Sequence, residues 1–399
     1  MRLLFLTDNF PPEVNAPATR TFEHCKEWVK SGVEVTVITC APNFPEGKVF
    51  GGYKNKFYQL ETIEGIKVIR VWTYISANKG SVKRILDYLS FMAMAFLVGL
   101  FIKTDKILAT SPQFFTAIAG RWLSFWKRKP WIMEVRDIWP ESIKAVGAMK
   151  DGAIIRFFEF LEKRMYKSAK KIVVVTDSFK DQLVKVHGIN EEKIRVIKNG
   201  INLELFKPQE KSKKILRELN LGDKFIIGYI GTHGMAHALD FVLKSVQKIN
   251  NPEIHFLFIG GGAKKEELQQ LKVDLNLSNV TMLGIVSKAE IKDYISILDV
   301  ALVNLKKSKT FTSVIPSKIF ENAAMHKPIL LGVEGESKSL IEDYNIGLTY
   351  EPENEKEFVK KVEEIHLYKD SFSGNFERIK KDFDRKILAQ KMLAFVKNN

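Results

Sequence analysis

A short loop in the second half of the chain carries residues whose types and spacing suit an anionic ligand. Pro316, Ser317 and Lys318 follow an apolar strand pattern at 300–303 and precede a helix pattern that holds Glu321 in its first turns. Free backbone N–H groups, the helix dipole and the lysine would all favour a diphosphate at this position. Glu321 is badly placed for phosphate, but its carboxylate could accept hydrogen bonds from sugar hydroxyls. The alternative is an ordinary helix start with a surface lysine and a surface glutamate.

Small or polar residues also follow predicted strands elsewhere in the chain. Ser111 begins the loop after one strand, and Arg136 and Asp137 follow another. In an open parallel sheet, ligands bind at the carboxyl ends of the strands, so these three residues are candidate site residues by position. Each of them could instead be a helix cap or a loop residue. Glycines directly follow two later strands, at 231–234 and 260–262, and would permit tight backbone turns toward a ligand.

Two runs of alternating strand and helix patterns must position these loops. Apolar, β-rich segments separated by amphipathic helix patterns indicate parallel sheets. In the first half they lie at 2–7, 33–40, 67–72, 106–110, 131–135 and 171–176. In the second half they lie at 225–230, 254–259, 280–283, 300–303 and 329–331. A chain of 399 residues suggests two domains, so we expect a linker near 203–212 and a cleft between two α/β halves.

Several classes of protein are disfavoured by the same sequence. The loop at 8–20 lacks the Gly-x-Gly-x-x-Gly pattern, which argues against a dinucleotide-binding oxidoreductase. Only two cysteines occur, Cys25 and Cys40, which indicates a reducing compartment and no cysteine-based metal site. The seven histidines show no metal-ligand spacing, and residues 1–6 predict a strand rather than a secretory signal.

The positive charge of the chain is concentrated beside apolar sequence. The net charge is +15, and residues 76–131 hold nine Lys or Arg against two Asp or Glu. The apolar run at 89–102, with Phe91 and Phe96, is shorter than the ~20 residues that a membrane-spanning helix needs. It is either a buried crossover helix or a helix lying in the membrane interface. Tryptophans interleaved with cations at 121–131 favour an anionic membrane surface, whereas no nucleic-acid motif is recognised.

Motifs over nearly the whole chain resemble the retaining glycosyltransferases of family 4, which have the GT-B fold. The general carriers are Asp8-Asn-Phe-Pro-Pro-Glu13, the strand at 33–38, Asn199-Gly-Ile-Asn202 with Phe206 and Pro208, Tyr229-Ile-Gly231 and Phe320-Glu321. Others resemble the N-acetyl-L-fucosamine transferases of bacterial O-antigen and capsule assembly: Asn15-Ala-Pro-Ala18, Glu134-Val-Arg-Asp-Ile-Trp-Pro-Glu-Ser142, Gly231-Thr-His-Gly-Met-Ala-His237 and Pro316-Ser-Lys318.

The resemblance implies an architecture and a reaction. It implies two Rossmann-like αβα domains that face each other across a cleft. We expect an acceptor-binding domain at 1–205, completed by a C-terminal helix at 376–399, and a nucleotide-sugar-binding domain at 206–375. The reaction implied is transfer from a UDP-sugar, with N-acetyl-L-fucosamine or a related N-acetylated deoxyhexose as the sugar, to a polyprenyl-diphosphate-linked saccharide. Anomeric configuration would be retained without metal or cofactor, on the inner face of the cytoplasmic membrane.

The resemblance also assigns residues, and the chain departs from it at the donor site. Glu321 matches the family glutamate that holds the ribose, but Ser313 stands where its partner glutamate is usual. The family's Arg and Lys diphosphate clamp falls on Thr232 and His237, so we expect Lys318 to take over the diphosphate. His233 or His237 could add charge only when protonated.

The full set of expected site residues comprises four groups. The expected donor-binding residues are Gly231, Thr232, His233, Gly234, His237, Gly284, Ser317, Lys318 and Glu321. The expected catalytic residues are Asp137, Arg136 and Glu321. The expected acceptor-binding residues are Asn15, Arg20, Ser111 and Gln113, and Arg20 could also stabilise the leaving nucleotide. The expected membrane residues are Phe91, Phe96, Trp122, Trp126, Lys127, Arg128 and Lys129.

Two other functions fit parts of the pattern. The UDP-sugar 2-epimerases share the GT-B architecture, but they need catalytic carboxylates and no acceptor. A non-catalytic, membrane-bound assembly partner is suggested by Ser313 and by the missing Arg and Lys clamp. Donor binding and acceptor-dependent turnover would separate these functions.

Overall fold

The computed structural model describes residues 1–44, 46–75, 81–111, 114–140, 152–287, 289–368 and 373–398. The chain divides into two compact α/β units. Unit 1 comprises Met1–Lys198 and Arg385–Asn399, and unit 2 comprises Asn199–Asp384.

Unit 1 is built on an eight-stranded sheet with the order β3-β4-β2-β1-β5-β6-β7-β8. Only β3 is antiparallel to its neighbour among these described strands. The strands are β1 Arg2–Leu6, β2 Glu34–Cys40, β3 Tyr58–Ile63, β4 Ile66–Val71, β5 Lys106–Ser111, β6 Trp131–Val135, β7 Lys171–Val174 and β8 Ile194–Val196. The helices are α1 Ala16–Lys30, α2 Ser81–Leu100, α3 Phe114–Lys127, α4 Ala153–Ser168, α5 Asp177–Lys185 and α14 Arg385–Lys397.

Helices cover both faces of this sheet, which explains why the central strands are continuous apolar runs. The crossover through α1 runs along the sheet in one direction, and those through α2, α3 and α4 run in the other. Right-handed crossovers therefore place these two groups on opposite faces. α14 packs beside α1, where the Trp28 indole donates a 2.8 Å hydrogen bond to the carbonyl of Ala389. On the other face, α3 lies between α2 and α4.

Unit 2 is built on a six-stranded parallel sheet with the order β11-β10-β9-β12-β13-β14. The strands are β9 Phe225–Ile230, β10 Ile254–Ile259, β11 Val280–Leu283, β12 Val300–Asn304, β13 Ile329–Gly332 and β14 Gly347–Thr349. The helices are α6 Lys213–Leu219, α7 Leu239–Val246, α8 Lys265–Asp274, α9 Ile291–Ser296, α10 Lys318–Ala324, α11 Glu336–Tyr344, α12 Glu355–Leu367 and α13 Phe376–Asp382. Two apolar cores lie against its sheet.

The division between the units differs in detail from the predicted boundaries. Residues 199–205 belong to unit 2, because Ile201 is buried in its core and donates a 2.8 Å backbone hydrogen bond to Phe383. The single helix predicted over 376–399 is two helices. α13 stays in unit 2, where Phe383, the residue that follows it, packs 4.8 Å from Phe320 between ring centroids, and α14 returns to unit 1.

None of the helices that the structure describes combines the length and the hydropathy needed to span a bilayer.

Candidate functional site

Lys318, the first residue of α10, is held on an aromatic ring in unit 2. Its Nζ atom lies 3.7 Å from the ring centroid of Tyr229 on β9. This atom is buried and has no hydrogen-bond partner in the described part of the chain. Gly231 makes the approach possible, since a Cβ there would lie 2.6 Å from Nζ, and its φ of +151° also favours glycine. Gly260 is equally constrained, because a Cβ there would lie 1.9 Å from the carbonyl of Gly231.

Burial controls the charge of this lysine. Removal of the ammonium from water lowers the pKa of Lys318 to about 7, and Glu321, one turn further along α10, raises it in opposition. The side chain is therefore divided between its charged and neutral forms near neutral pH. An anion placed against Nζ would favour the charged form.

Two histidines from the loop after β9 lie beside the ring of Tyr229. The ring centroids of His233 and His237 lie 6.0 and 5.8 Å from that of Tyr229. Burial, reinforced by the charge of Lys318, lowers the pKa of His233 to about 4 and that of His237 to about 3. Both rings are therefore neutral at physiological pH. Both ring nitrogens of His233 and Nδ1 of His237 lack partners among the described residues, so these neutral rings retain unused hydrogen-bonding capacity.

The backbone of this loop is fixed by Tyr229 and by two residues that the sequence patterns did not single out, Asn304 and Tyr350. Asn304, which ends β12, donates from its side chain to the carbonyl of His237 at 2.8 Å. Its Oδ1 accepts a 2.7 Å hydrogen bond from the hydroxyl of Tyr350. The hydroxyl of Tyr229 donates to the carbonyl of Thr232 at 2.8 Å. A polar residue that ends an otherwise apolar strand was the available signal for Asn304.

The structure brings some of the predicted donor residues together and leaves others apart. Gly231, His233, His237 and Lys318 form one cluster, with Gly234 in the same loop. Gly284 is exposed at the end of β11, which β10 separates from β9. The remaining predicted donor residues lie at the surface or are partly buried, and they are Thr232, Ser317 and Glu321. Ser313 donates its hydroxyl to the carbonyl of Thr310 at 3.0 Å.

In unit 1, Arg20 is committed to the fold rather than available to an acceptor. Its Nε pairs with Glu134 at 2.9 Å, and both side chains are buried. Its two terminal nitrogens donate to the carbonyls of Lys198 and Ile197, each at 2.9 Å. We therefore revise its expected role as an acceptor ligand, because each guanidinium nitrogen is occupied within unit 1.

Arg136, directly after β6, keeps unused donors. Its Nε and Nη1 are buried without hydrogen-bond partners among the described residues, and its backbone N–H donates to the carbonyl of Ser111 at 3.1 Å. Burial lowers the pKa of Arg136 to about 10, with Glu134 raising it, so the side chain stays charged at neutral pH. Asp137 follows at the same carboxyl edge of the sheet and contributes to that electrostatic balance.

The other predicted acceptor residues have local roles or lie outside the description. Asn15 is the N-cap of α1, where its Oδ1 accepts a 2.9 Å hydrogen bond from the N–H of Ala18. Its Nδ2 donates to the side chain of Asn9 at 2.6 Å. Ser111 is buried at the end of β5. Gln113 lies outside the described residues.

The predicted membrane residues are partly exposed. Phe91 of α2, which we expected to contact a membrane, is instead fully buried, and Trp131 is buried in β6. Phe96 is half-buried and packs edge-to-face on the exposed Trp122, with 5.7 Å between ring centroids. Trp126 and Arg128 are exposed, whereas Lys127 and Lys129 are partly buried. Lys127 donates from Nζ to the carbonyl of Leu100 at 2.7 Å, which joins the C-terminal ends of α3 and α2.

Comparison with known proteins relates both halves of the chain to sugar transfer. Residues 18–205 match the family described as Glycosyltransferase Family 4, and residues 211–372 match Glycosyl transferases group 1. A Pseudomonas aeruginosa protein named "Probable glycosyltransferase WbjE" is 24% identical over 67% of this chain and 68% of its own. An Escherichia coli K12 protein named "Putative colanic acid biosynthesis glycosyl transferase WcaI" is 22% identical over 92% of each chain.

Solved structures share the fold at low sequence identity. Sucrose-phosphate synthase from Thermosynechococcus elongatus superposes with a TM-score of 0.81 and 15% identity, over 99% of this chain and 98% of its own. HepE of Anabaena, solved in complex with UDP-glucose, superposes with a TM-score of 0.73 and 16% identity over 99% of each chain. The two-domain Rossmann-like GT-B fold predicted from the sequence is thereby confirmed.

Proposed function

Because the chain is a glycosyltransferase, a Family 4 domain followed by a group 1 domain, we propose that it transfers a sugar from a UDP-sugar to a polyprenyl-diphosphate-linked saccharide. The product would keep the anomeric configuration of the donor, and the reaction would need no metal or cofactor. The sugar would be N-acetyl-L-fucosamine or a related N-acetylated deoxyhexose. The Asn15-Ala-Pro-Ala18 and Gly231–His237 motifs support this choice of donor, and the name of WcaI, which refers to colanic acid biosynthesis, supports a role in surface polysaccharide assembly.

The cluster around Lys318 is the observation that carries this proposal. It offers a buried cation with no hydrogen-bond partner among the described residues, two neutral imidazoles and a glycine-lined backbone at the carboxyl end of β9. Ligands of open parallel sheets bind at that edge. A diphosphate would supply the acceptor oxygens and the negative charge that this cluster lacks. The similar fold of HepE, solved with UDP-glucose, supports a nucleotide-sugar there.

The residues of each unit would then have distinct tasks. As the glycosidic bond breaks, negative charge grows on UDP, and Lys318 would stabilise it. Glu321 would accept hydrogen bonds from the ribose hydroxyls. Ser313 leaves the donor sugar without the second carboxylate usual in the family, so its hydroxyls would need other partners.

In unit 1, Asp137 would orient the acceptor or stabilise positive charge on the sugar ring, and Arg136 would supply a fixed positive charge beside it. The departing phosphate would take the proton of the acceptor hydroxyl on the face from which UDP leaves.

A membrane surface would hold the lipid part of the acceptor. Among the described side chains, α2, α3, α4 and the residue after α2 expose eleven large apolar ones: Ile85, Leu86, Leu89, Leu97, Phe101, Trp122, Phe125, Trp126, Ile154, Phe157 and Phe160. We call these side chains the apolar face. Exposed cations lie within or beside it: Lys83, Arg84, Lys103, Arg128, Arg156, Lys163 and Arg164. Aromatic and aliphatic side chains interleaved with cations suit the headgroup region of an anionic bilayer. The α4 part of this face was missed from the sequence, because its apolar residues do not form one continuous run.

Coupled turnover tests the proposed function. A panel of UDP-sugars, including UDP-N-acetyl-L-fucosamine, would be incubated with membrane-extracted polyprenyl-diphosphate saccharide, and release of UDP would be measured. We expect release that requires both substrates and a product with retained configuration by NMR. Lys318→Met should reduce turnover, whereas Lys244→Met, which removes an exposed lysine of α7, should not.

The other outcomes would favour the alternative functions. UDP release without acceptor would favour hydrolysis or epimerase-type chemistry. No turnover with any donor, together with no affinity for UDP, would favour the non-catalytic assembly partner.

A further inference from the structure

We infer that Lys318 rests on the ring of Tyr229 in the nucleotide-free protein and moves onto the diphosphate when the donor binds, with uptake of a proton. The inference rests on the proposed function and adds to it a pH-dependent uptake of a proton on donor binding. It follows from the ring that Nζ lies over and from the absence of a hydrogen-bond acceptor for Nζ among the described residues.

The resting position gives the ammonium group little compensation for its lost water. The ring face of Tyr229 attracts a cation, but it satisfies none of the three N–H donors as a hydrogen-bond acceptor would. Burial accordingly lowers the pKa of Lys318 to about 7. A neutral amine on the ring face is therefore well populated in the free protein.

The charged and titratable groups that face Lys318 accept no hydrogen bond from its Nζ in the described part of the chain, as a bound anion would. On its own helix, Glu321 is the carboxylate that raises the lysine's pKa. From the loop after β9, His233 and His237 face it as neutral rings. Burial raises the pKa of the Tyr229 hydroxyl, which stays neutral. Lys265, the first residue of α8, adds positive charge near His233.

A diphosphate would reverse this balance. Its oxygens would accept hydrogen bonds from Nζ, and its negative charge would raise the pKa of the lysine. With a free pKa of about 7, the lysine is mostly neutral at pH 8, so binding there should take up the greater part of one proton. The terminal phosphate of free UDP, with a pKa near 6, is already ionised at that pH and contributes no uptake.

The sequence explains why this chain would need such a device. The family resemblance implies that Thr232 and His237 stand at the positions of an Arg and Lys pair in related transferases. A single titratable cation then performs a task that two fixed charges perform elsewhere. The affinity for UDP should consequently fall by nearly tenfold per pH unit as the pH rises above about 7.5.

Calorimetry on the wild-type protein tests the inference directly. UDP would be titrated at pH 8 in HEPES and in Tris, whose ionisation enthalpies differ, and the dependence of the observed heat on the buffer gives the number of protons exchanged. We expect uptake of the greater part of one proton at pH 8 and much less at pH 6. Binding of UDP without proton uptake at pH 8 would overturn the inference and leave the proposed function standing. Failure of UDP to bind at any pH would overturn both.

Two variants assign the proton. Lys318→Arg carries a permanent charge, so its uptake should fall close to zero and its affinity should be nearly constant between pH 7 and 9. Uptake that persists in this variant would overturn the assignment to Lys318. His255→Gln is the control: burial also lowers the pKa of His255, to about 4, but this ring lies near the other end of β10 and contacts Thr281 at 2.9 Å. Its proton uptake should equal that of the wild type.

Discussion

Three rings at the C-terminal ends of α2 and α3 provide the sharpest test of membrane binding. Phe101 is 86% exposed, Phe125 is 78% exposed and Trp126 is 67% exposed. Phe125 and Trp126 lie 6.1 Å apart between ring centroids, and Lys127 links their helix to the carbonyl of Leu100 beside Phe101. The perturbation is the triple replacement Phe101→Ser, Phe125→Ser and Trp126→Ser.

The size of the effect follows from the exposed area. At about 25 cal/mol per Å² and roughly 150 Å² of exposed ring surface each, full transfer into hydrocarbon would contribute about 4 kcal/mol per ring. Insertion only to the headgroup boundary would contribute roughly half of that, or about 6 kcal/mol for the three rings. Their loss should therefore weaken partition into vesicles by a factor on the order of 10⁴.

Flotation with phosphatidylcholine vesicles that contain phosphatidylglycerol is the assay. The wild-type protein should float with these vesicles, less so at high salt because screening weakens the contribution of the cations. The triple variant should remain in the unbound fraction. The matched control replaces three exposed residues of unit 2, Val273, Leu367 and Tyr368, with serine and should float like the wild type. Undiminished flotation of the folded triple variant would refute the assignment of these rings to a membrane.

Three further predictions concern the site and the core. Glu321→Ala should raise the Kd for UDP about 10-fold or more, since charge-assisted hydrogen bonds to the ribose would be lost. Glu363→Ala, on the exposed side of α12, should leave the Kd unchanged. Equal UDP affinities of the two variants in calorimetry would show that Glu321 does not bind the ribose. Gly231→Ala should lower kcat/KM at least 10-fold, because a φ of +151° strains an L-residue and the added Cβ would displace the Nζ of Lys318, whereas Gly222→Ala meets open space; normal kinetics in Gly231→Ala would contradict the cluster. Arg20→Met should reduce the free energy of unfolding in urea by about 3 kcal/mol, because it removes the ion-pair partner of the buried Glu134 and leaves Arg136 as the remaining cation near it. Against the opposing effect of burial, the charges of Arg20 and Arg136 lower the pKa of Glu134 in the folded protein, so the ion pair stabilises the fold above the unfolded pKa of about 4.5, and this stabilisation is lost as the pH falls below that value. Arg2→Met, in the exposed pair with Asp105, should change the free energy of unfolding very little. Equal losses of stability in Arg20→Met and Arg2→Met would refute the distinction between the buried and the exposed pair.

The main strands were predictable because burial on both faces leaves continuous apolar runs. β9 and β10 were predicted with the bounds that the structure has. The strands that were missed are short or at a sheet edge, as with β14 and β3. β3 alternates exposed and partly buried residues, so its sequence carries no apolar run.

The environment of each candidate residue was less predictable than its position. Lys318 and Arg20 are both cations near strand ends, and the sequence does not distinguish them. Their difference depends on partners distant in sequence: Glu134 and two carbonyls bind the guanidinium of Arg20, whereas the Nζ of Lys318 lies over the ring face of Tyr229 without a hydrogen-bond partner among the described residues. Phe91 likewise belongs to an apolar run that could be buried or exposed, and only helix packing decides its orientation.

The return of α14 to unit 1 has a consequence for synthesis on the ribosome. Unit 2 is encoded without interruption between Asn199 and Asp384, so all of its strands emerge before the last helix of unit 1. Until residues 385–397 emerge, the buried surface of α1 around Trp28 lacks Ala389 as a hydrogen-bond acceptor and the apolar side chains of α14 as a cover. The second half of the protein can therefore fold first, while the first half, although made earlier, keeps this apolar surface uncovered until residues 385–397 have been synthesised.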